Sequence, residues 1–349
     1  MTEFELIRRY FTRATPGALL GIGDDAALLQ PSAGNVLAVS TDMLVCGTHF
    51  LADADPYLLG HKTLAVNLSD MAAMGAIPRW ATLAIALPEA DEAWLERFSS
   101  GFFALAQQYG VELVGGDTTR GPLNLCVTII GEVPARQALL RSGAQIGDMV
   151  WVSGKLGDAA LALAHLQNKI ALSAEQLAAC APALHQPQPR IALGLALRGI
   201  ASSAIDISDG LLADLGHILD ASQVAAEIDL AVLPISDVLR ECTTLLSPPL
   251  SGGKPNSSPT PPLTRGGREG LGRLGGVELL QRCVLSGGDD YELCFTAPAV
   301  RDEEIKSISA RLALPLTCIG KVVAGRGCIV HDASGNLIDM EASGYDHFR

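Results

Sequence analysis

Six short segments place aspartate beside glycine, serine or threonine: GIGDDAAL (21–28), STDML (40–44), NLSDMAAMGA (67–76), VGGDTTRG (114–121), IDISDGL (205–211) and LSGGDDYEL (285–293). Each adjoins an apolar run. An ionised carboxylate inside an apolar layer is costly unless it is partnered, so a fold built from these runs must bring the segments to a rim or a cleft. One such segment is an ordinary turn or helix cap, because Asp and Gly are common wherever the backbone bends. Six together suggest a site. Carboxylates that converge must bind cations or take up protons, since like charges at close range do not all ionise unaided, and magnesium is the natural counter-charge.

Between these segments the runs alternate in type. The pattern predicts a helix near 2–12, a strand at VLAVST (36–41), a helix over about 57–74, a strand at WATLAIAL (80–87) and a helix over about 91–109. VELVGG then reads as a short strand and LNLCVTIIGEV (123–133) as a longer one. Pro134 ends it, and the polar stretch that follows sets a domain boundary within 134–147. The second half repeats the theme: strand MVWVSG (149–154), helices near 157–168 and 188–199, a strand over 203–208, a helix over about 209–221 and the strand VAAEID (224–229). With 349 residues and 48% hydrophobic content, the chain exceeds a usual single core. The expectation is an α/β (α+β) protein of two domains, 1–138 and 147–349. Within the second, 247–276 is about half Pro and Gly and carries Lys254, Arg265, Arg268 and Arg273; such a tract is expected to be a disordered surface insertion.

A net charge of −13 leaves no basic stripe for nucleic acid or an anionic membrane. Nucleotides remain compatible, because divalent metals can bridge carboxylates to phosphates. The eight cysteines are scattered without a CxxC pair, which argues against zinc and for a reducing compartment. MTEFELIRRYF lacks a signal-peptide core and no apolar run reaches membrane length, so a cytoplasmic protein is expected.

Familiar phosphate motifs are missing. SGKLGD (153–158) lacks the spacing and hydroxyl of a phosphate loop, GIGDDA puts acids where a dinucleotide fingerprint needs glycine, and no GxSxG elbow occurs. The acids remain. Asp24 and Asp25 follow two glycines in a tight turn. Asp42 follows Ser40 and Thr41 at the end of an apolar strand, where hydroxyls and carboxylate can reach one hard cation. Asp70 lies in an apolar helical stretch. Asp117 follows Gly115 and Gly116 directly after a strand, with Arg120 and Arg141 as candidate phosphate contacts. Asp206 and Asp209 flank Ser208 where a strand runs into a helix, so the helix start offers amide donors to an anion; Asp209 also reads as the helix cap. Asp289 and Asp290 repeat the Gly-Gly-acid arrangement before YELCFTA. Read residue by residue, these make a magnesium-rich phosphate site, and phosphoryl transfer asks of a protein mainly alignment and neutralisation of charge.

The ordered motifs GIGDDAALL, STDMLVCGTHF, AVNLSDMAAMGA, VGGDTTRGPL, AIDISDGLLADLGHI, LSGGDDYELCF and GYDHF resemble the thiamine-monophosphate kinase family, over the chain's whole length apart from the insertion. The resemblance implies an aminoimidazole ribonucleotide synthetase-like fold, with an N-terminal α/β domain for dimerisation and ATP binding and a C-terminal α/β domain. It implies a homodimer that transfers the γ-phosphoryl group of ATP to thiamine monophosphate. Magnesium ligands would be Asp25, Ser40, Thr41, Asp42, Asp70, Asp117, Asp206 and Asp209; ATP contacts Gly116, Asp117, Arg141 and Ser208; substrate contacts His49, Asp289 and Tyr345; and Asp42, Asp117 and Asp209 would carry the catalysis. Asp289 stands where the family motif GGEDYEL has Glu, which shortens that carboxylate by one methylene. Two alternatives are another ATP-dependent synthetase of the same superfamily and a non-catalytic nucleotide-binding protein. The chain's end, GYDHFR, lacks the terminal Cys expected of a hydrogenase-maturation protein, and aspartates this complete speak for an enzyme.

Overall fold

The computed structural model describes residues 2–245, 276–332 and 334–338. Tyr345 and all of the 247–276 tract but Gly276 lie outside the described residues. In the first half, α1 (Glu3–Leu6) continues as a π turn over Ile7–Phe11 and is followed by β1 (Asn35–Val45), α2 (Pro56–Ala73), β2 (Ile77–Leu87), α3 (Glu92–Tyr109), β3 (Glu112–Arg120) and β4 (Asn124–Pro134). Next come β5 (Asp148–Ser153), α4 (Asp158–Leu166), α5 (Ala174–His185), α6 (Ile191–Leu197), β6 (Ser203–Asp206), α7 (Leu211–Ser222), β7 (Ala225–Asp229) and α8 (Asp237–Leu245). The described chain ends with α9 (Gly276–Val284), β8 (Leu293–Pro298), α10 (Asp302–Leu312), β9 (Leu316–Val323), β10 (Gly327–His331) and β11 (Leu337–Ile338).

The strands form two mixed sheets, one in the order β1-β4-β2-β3 and one in the order β11-β10-β7-β9-β5-β8-β6. In the first, only β2 and β3 run parallel, and β1 and β3 are the edges. Burial alternates along β1, as the two-residue period of a strand requires. Ala38, Ser40, Asp42 and Leu44 turn inward, whereas Leu37, Val39, Thr41 and Met43 turn outward, with Val39 61% and Met43 56% exposed. The outer face of this sheet is therefore uncovered.

The inner face lies on α2, whose 18 residues are almost all buried. Asp55 caps it through the amides of Tyr57 and Leu58, with Pro56 in the first turn. Its apolar residues recur on every side, as they must in a helix with no solvent face. Glycines let its neighbours close in. A Cβ on Gly101 of α3 would come 1.9 Å from the Tyr57 carbonyl oxygen, and one on Gly194 of α6 would come 2.0 Å from that of Ala72.

Among the departures from the sequence expectation, two have a clear local cause. Helix α5 begins with a capping box, Ser173 with Gln176, but Pro182 in its interior hides the helical period. Strand β3 does not stop at its two glycines; it runs on to Arg120, so Asp117 sits inside a strand rather than on the loop after one. Gly116 adopts φ 150° with no room for a side chain, since a Cβ would lie 1.9 Å from the Leu83 carbonyl oxygen. The glycine pair marks close strand approach, not a turn.

The packing makes opposite predictions at two glycines. Gly101→Ala should lower the free energy of unfolding by about 1–3 kcal/mol, the usual cost of overpacking. Gly216→Ala, in α7 with nothing within 4 Å of the added carbon, should raise it by up to about 1 kcal/mol. Urea midpoints that move in the same direction for both variants would count against this account.

Candidate active site

Three elements bring carboxylates together. From β1 come Ser40 and Asp42, from α2 come Ser69 and Asp70, and from the end of β6 and the loop after it come Asp206, Ser208 and Asp209. The α2 residues reach both ways. The Ser40 hydroxyl donates to Asp70 Oδ2, Asn67 Oδ1 accepts the Asp42 amide at 3.3 Å, and the Ser69 hydroxyl donates to Asp206 Oδ2 at 2.7 Å.

Burial dominates the electrostatics. It lifts Asp42 to about 7, helped by the charges of Asp70 and Asp209. It lifts Asp206 to about 8, with Asp70 the next contributor and the Ser69 hydrogen bond opposing. Asp70 is raised as well, again by burial, against the Ser40 hydrogen bond and the nearby Arg141 guanidinium. Three carboxylates so placed need either protons or cations at neutral pH.

Asp214 was not legible as a site residue. Its Oδ2 accepts the amides of Ser208 and Asp209 at 2.9 and 3.0 Å, while its own carboxyl is raised to about 7 by burial. These two amides, in the loop just before α7, are therefore taken by Asp214 and are not open donors for an anion. Asp209 does not cap that helix; the cap position is Gly210, at φ 114°. The one sequence signal for Asp214 was an acid inside the apolar helical run LLADLGHI.

Asp42, His49, Ser208, Asp209, Gly288 and Asp289 line one cleft of about 840 Å³. His49 Nδ1 accepts the Val45 amide at 3.0 Å, which places the proton of the neutral ring on Nε2. His49 and Asp289 also border a smaller cavity of about 60 Å³, walled by Phe50, Leu58, Leu59, Leu166 and Leu184. Asp290 turns away from both and accepts the Gly157 amide at 3.0 Å in the interior, a structural role. Arg141 is exposed but close enough to favour the charge of Asp70. Arg120 is exposed too and donates to the Pro88 carbonyl at 3.3 Å.

The remaining acids lie elsewhere. Asp24, Asp25, Gly115, Gly116 and Asp117 line a second cleft of about 820 Å³, with Phe4 and Phe11 nearby. Strand register explains the separation. Asp117 pairs with Ala84, Ala84 with Cys126 and Cys126 with Met43. Directly paired residues share a face, so Asp117 stands on the open face with Met43, opposite the face of Asp42. Thr41 is on that open face as well, its hydroxyl 2.8 Å from that of Thr128.

Among the described residues, no three His, Cys, Asp or Glu side chains already stand in place to hold one ion. Carboxylate and hydroxyl oxygens of Asp42, Ser208 and Asp209 face the first cleft together. That set suits magnesium, which keeps part of its water shell and binds through one or two carboxylates together with phosphate oxygens.

A family model described as AIR synthase related protein, N-terminal domain, matches residues 23–133, and its C-terminal counterpart matches 145–333. The chain is similar to the thiamine-monophosphate kinase of Escherichia coli (strain K12), with 46% identity over 99% of this chain and 98% of that one. The chain belongs to the thiamine-monophosphate kinase family. The crystal structure of the thiamine-monophosphate kinase from Stenotrophomonas maltophilia K279a shares 46% identity and a TM-score of 0.77, over 96% of each chain. A further family structure, AaThiL complexed with AMPPCP and TMP, shares 30% identity and a TM-score of 0.71 over 91% of this chain and 89% of that one. The two-domain architecture is thus that of the thiamine-monophosphate kinase family.

In cation-free protein the raised carboxylates set a pH dependence. Asp42 and Asp206 titrate near 7 and 8 when folded, against 3.8 for an ordinary aspartate. The folded state therefore holds protons that the unfolded chain has lost; the stabilisation is complete below about pH 4 and disappears as pH rises through 7 to 8. With EDTA present, the denaturant midpoint should fall between pH 5 and 8.5, and Asp206→Asn should flatten that fall. A midpoint that climbs over the same interval would show that the carboxylates are ionised and paired instead.

Proposed function

We propose that this chain transfers the γ-phosphoryl group of ATP to thiamine monophosphate, giving ADP and thiamine diphosphate. The observation that carries the reading is the carboxylate trio of half-buried Asp42 and Asp70 and buried Asp206, with Asp42 lining a cleft of about 840 Å³. Such a trio demands positive charge, and the cleft is large enough for a nucleoside triphosphate. A relative described as complexed with AMPPCP and TMP supports the same pairing of substrates.

Magnesium ions would be held by Asp25, Ser40, Thr41, Asp42, Asp70, Asp117, Asp206 and Asp209, and when bound they supply neutralisation of the phosphate charge. ATP would lie against Gly116, Asp117, Arg141 and Ser208, with the Arg141 guanidinium suited to phosphate oxygens. On the acceptor side stand His49, whose Nε2–H is a donor, Asp289, and Tyr345. Asp42, Asp117 and Asp209 are closest to the chemistry. No side chain has to act as a base, because a phosphate monoester ionises for the second time near pH 6 and its oxygen is already a nucleophile at neutral pH. The protein's task is direct in-line alignment of two anions that repel each other by several kcal/mol at an intermediate effective dielectric.

The two clefts bear on assembly. β1 and β3 are free edges, and the open face presents Val39 and Met43 together with the threonines. A homodimer joined through this face and these edges would bring Asp25, Gly116 and Asp117 of one subunit to the cleft that holds Asp42 of the other. Two observations favour the cytoplasm: all eight cysteines are free thiols, and among the described residues no helix is long and apolar enough to cross a membrane.

Release of ADP with thiamine monophosphate as acceptor tests the activity. Turnover only with a different acceptor would overturn it. Asp42→Asn and Asp117→Asn should each lower kcat by about 10²–10³, the scale for losing one electrostatic stabiliser. If the site is shared between subunits, mixing and reassociating the two variants should restore roughly a quarter of parental activity, since half the dimers are mixed and each has one intact site. A mixture as inactive as its components would place all the ligands within one chain.

A further inference from the structure

Among the described residues, Lys62 is the one strongly buried cation that the proposed reaction leaves unused. It sits on α2 with its side chain 4% exposed, and its ammonium lies 3.0 Å from Asp289 Oδ1, whose side chain is 26% exposed. Asp289 belongs to the other half of the chain. Its backbone is held in the left-handed region, at φ 70°, and its amide donates to the Ser208 carbonyl at 2.9 Å. Lys62 thus ties the first half to the loop that follows the carboxylate cluster, at the point where the large cleft meets the small apolar cavity. A lysine so enclosed requires a counter-ion, and a carboxylate gripped by an ammonium loses freedom to swing. The imidazole of His185 completes the polar end of the small cavity; burial, and then the Lys62 charge, hold it towards the neutral form.

We infer that Lys62 is a positioning residue for the acceptor: it fixes the Asp289 carboxylate at the mouth of the apolar cavity and cancels its charge, so that Asp289 meets the acceptor by hydrogen bonding. This rests on the reading of Asp289 as a substrate-side residue. The pair suits a polar heteroaromatic ring that lies across the mouth of the cavity, its edge against the apolar wall of Phe50, Leu58 and Leu184 and an amino group reaching the carboxylate. Lys62 itself borders the small cavity and not the large cleft, so its loss should be felt on the acceptor side first.

Steady-state kinetics of Lys62→Met, which keeps the apolar stem, of Asp289→Asn and of the double variant test the inference. Since KM does not depend on the fraction of protein folded, partial unfolding cannot mimic the result. The expected outcome is a KM for thiamine monophosphate about tenfold higher in each single variant, a KM for ATP within about twofold of the parent, and a double variant no worse than either single one. If Asp289→Asn leaves the KM for thiamine monophosphate unchanged, the substrate-side reading of Asp289 fails. If Asp289→Asn raises it and Lys62→Met does not, only the role of Lys62 fails. Equal increases for both substrates, or multiplying effects in the double variant, would also overturn it.

Discussion

A helix with no face to solvent governs this molecule. α2 lies against the first sheet, α3, α6 and β6 at once, and its polar residues have no water to fall back on. Each must find a partner in a neighbouring element. His61 meets the Pro187 carbonyl at 3.0 Å, Lys62 meets Asp289, Asn67 holds the Asp42 amide, Ser69 reaches Asp206, and Asp70 takes the Ser40 hydroxyl. The bonds that satisfy the helix are thus the same ones that aim the carboxylates. Loosening the packing of α2 would move the site with it, because the glycine contacts at Gly101 and Gly194 set how closely the neighbours approach.

Burial makes the cluster responsive. Asp42, Asp70 and Asp206 would be ordinary acids on the surface; enclosed, they favour protons until cations arrive. A ligand that binds only the folded state stabilises it by mass action, so cations entering with a polyphosphate would take the place of those protons and tighten the region. The amides of Ser208 and Asp209 are committed to Asp214. That loop is therefore pre-formed, and its geometry does not wait for an anion.

Much of this was legible in the chain and some was not, for identifiable reasons. Segments of Asp with Gly, Ser or Thr mark acids that a core will not tolerate, so Asp42, Asp70, Asp206 and Asp209 were identifiable as a group. Asp117 was identifiable as an acid but not by face, because its face depends on β3 continuing through Gly115 and Gly116. A glycine pair reads as a turn in sequence even when it serves close strand contact. Lys62 and Asp214 were hard to assign for a different reason. Each acts through a partner far away in sequence or through backbone amides, so the local pattern shows at most a charge inside an apolar helical run and not what that charge does. In α5 the capping box was present, but Pro182 broke the period that would have extended it.

The alternation of one strand then bears on the assembly. Ser40 and Asp42 face α2 and Thr41 faces outward, although the three are consecutive and their resemblance-implied roles are shared. A single rigid strand cannot present adjacent side chains to one ion from the same face. Either the far end of the sheet twists so that the backbone edge faces the ligand, or donors from the open face serve a site that is completed across it. The register from Met43 through Cys126 and Ala84 to Asp117 puts the outer-face donors together on a surface that is apolar enough to be covered and has free strands on both sides. Uncovered edges are liabilities that natural sheets rarely leave open. Under the proposed dimer, pairing with a second copy would remove that liability and bring the outer-face donors to a partner's cleft in one step, so that assembly and chemistry would depend on the same residues.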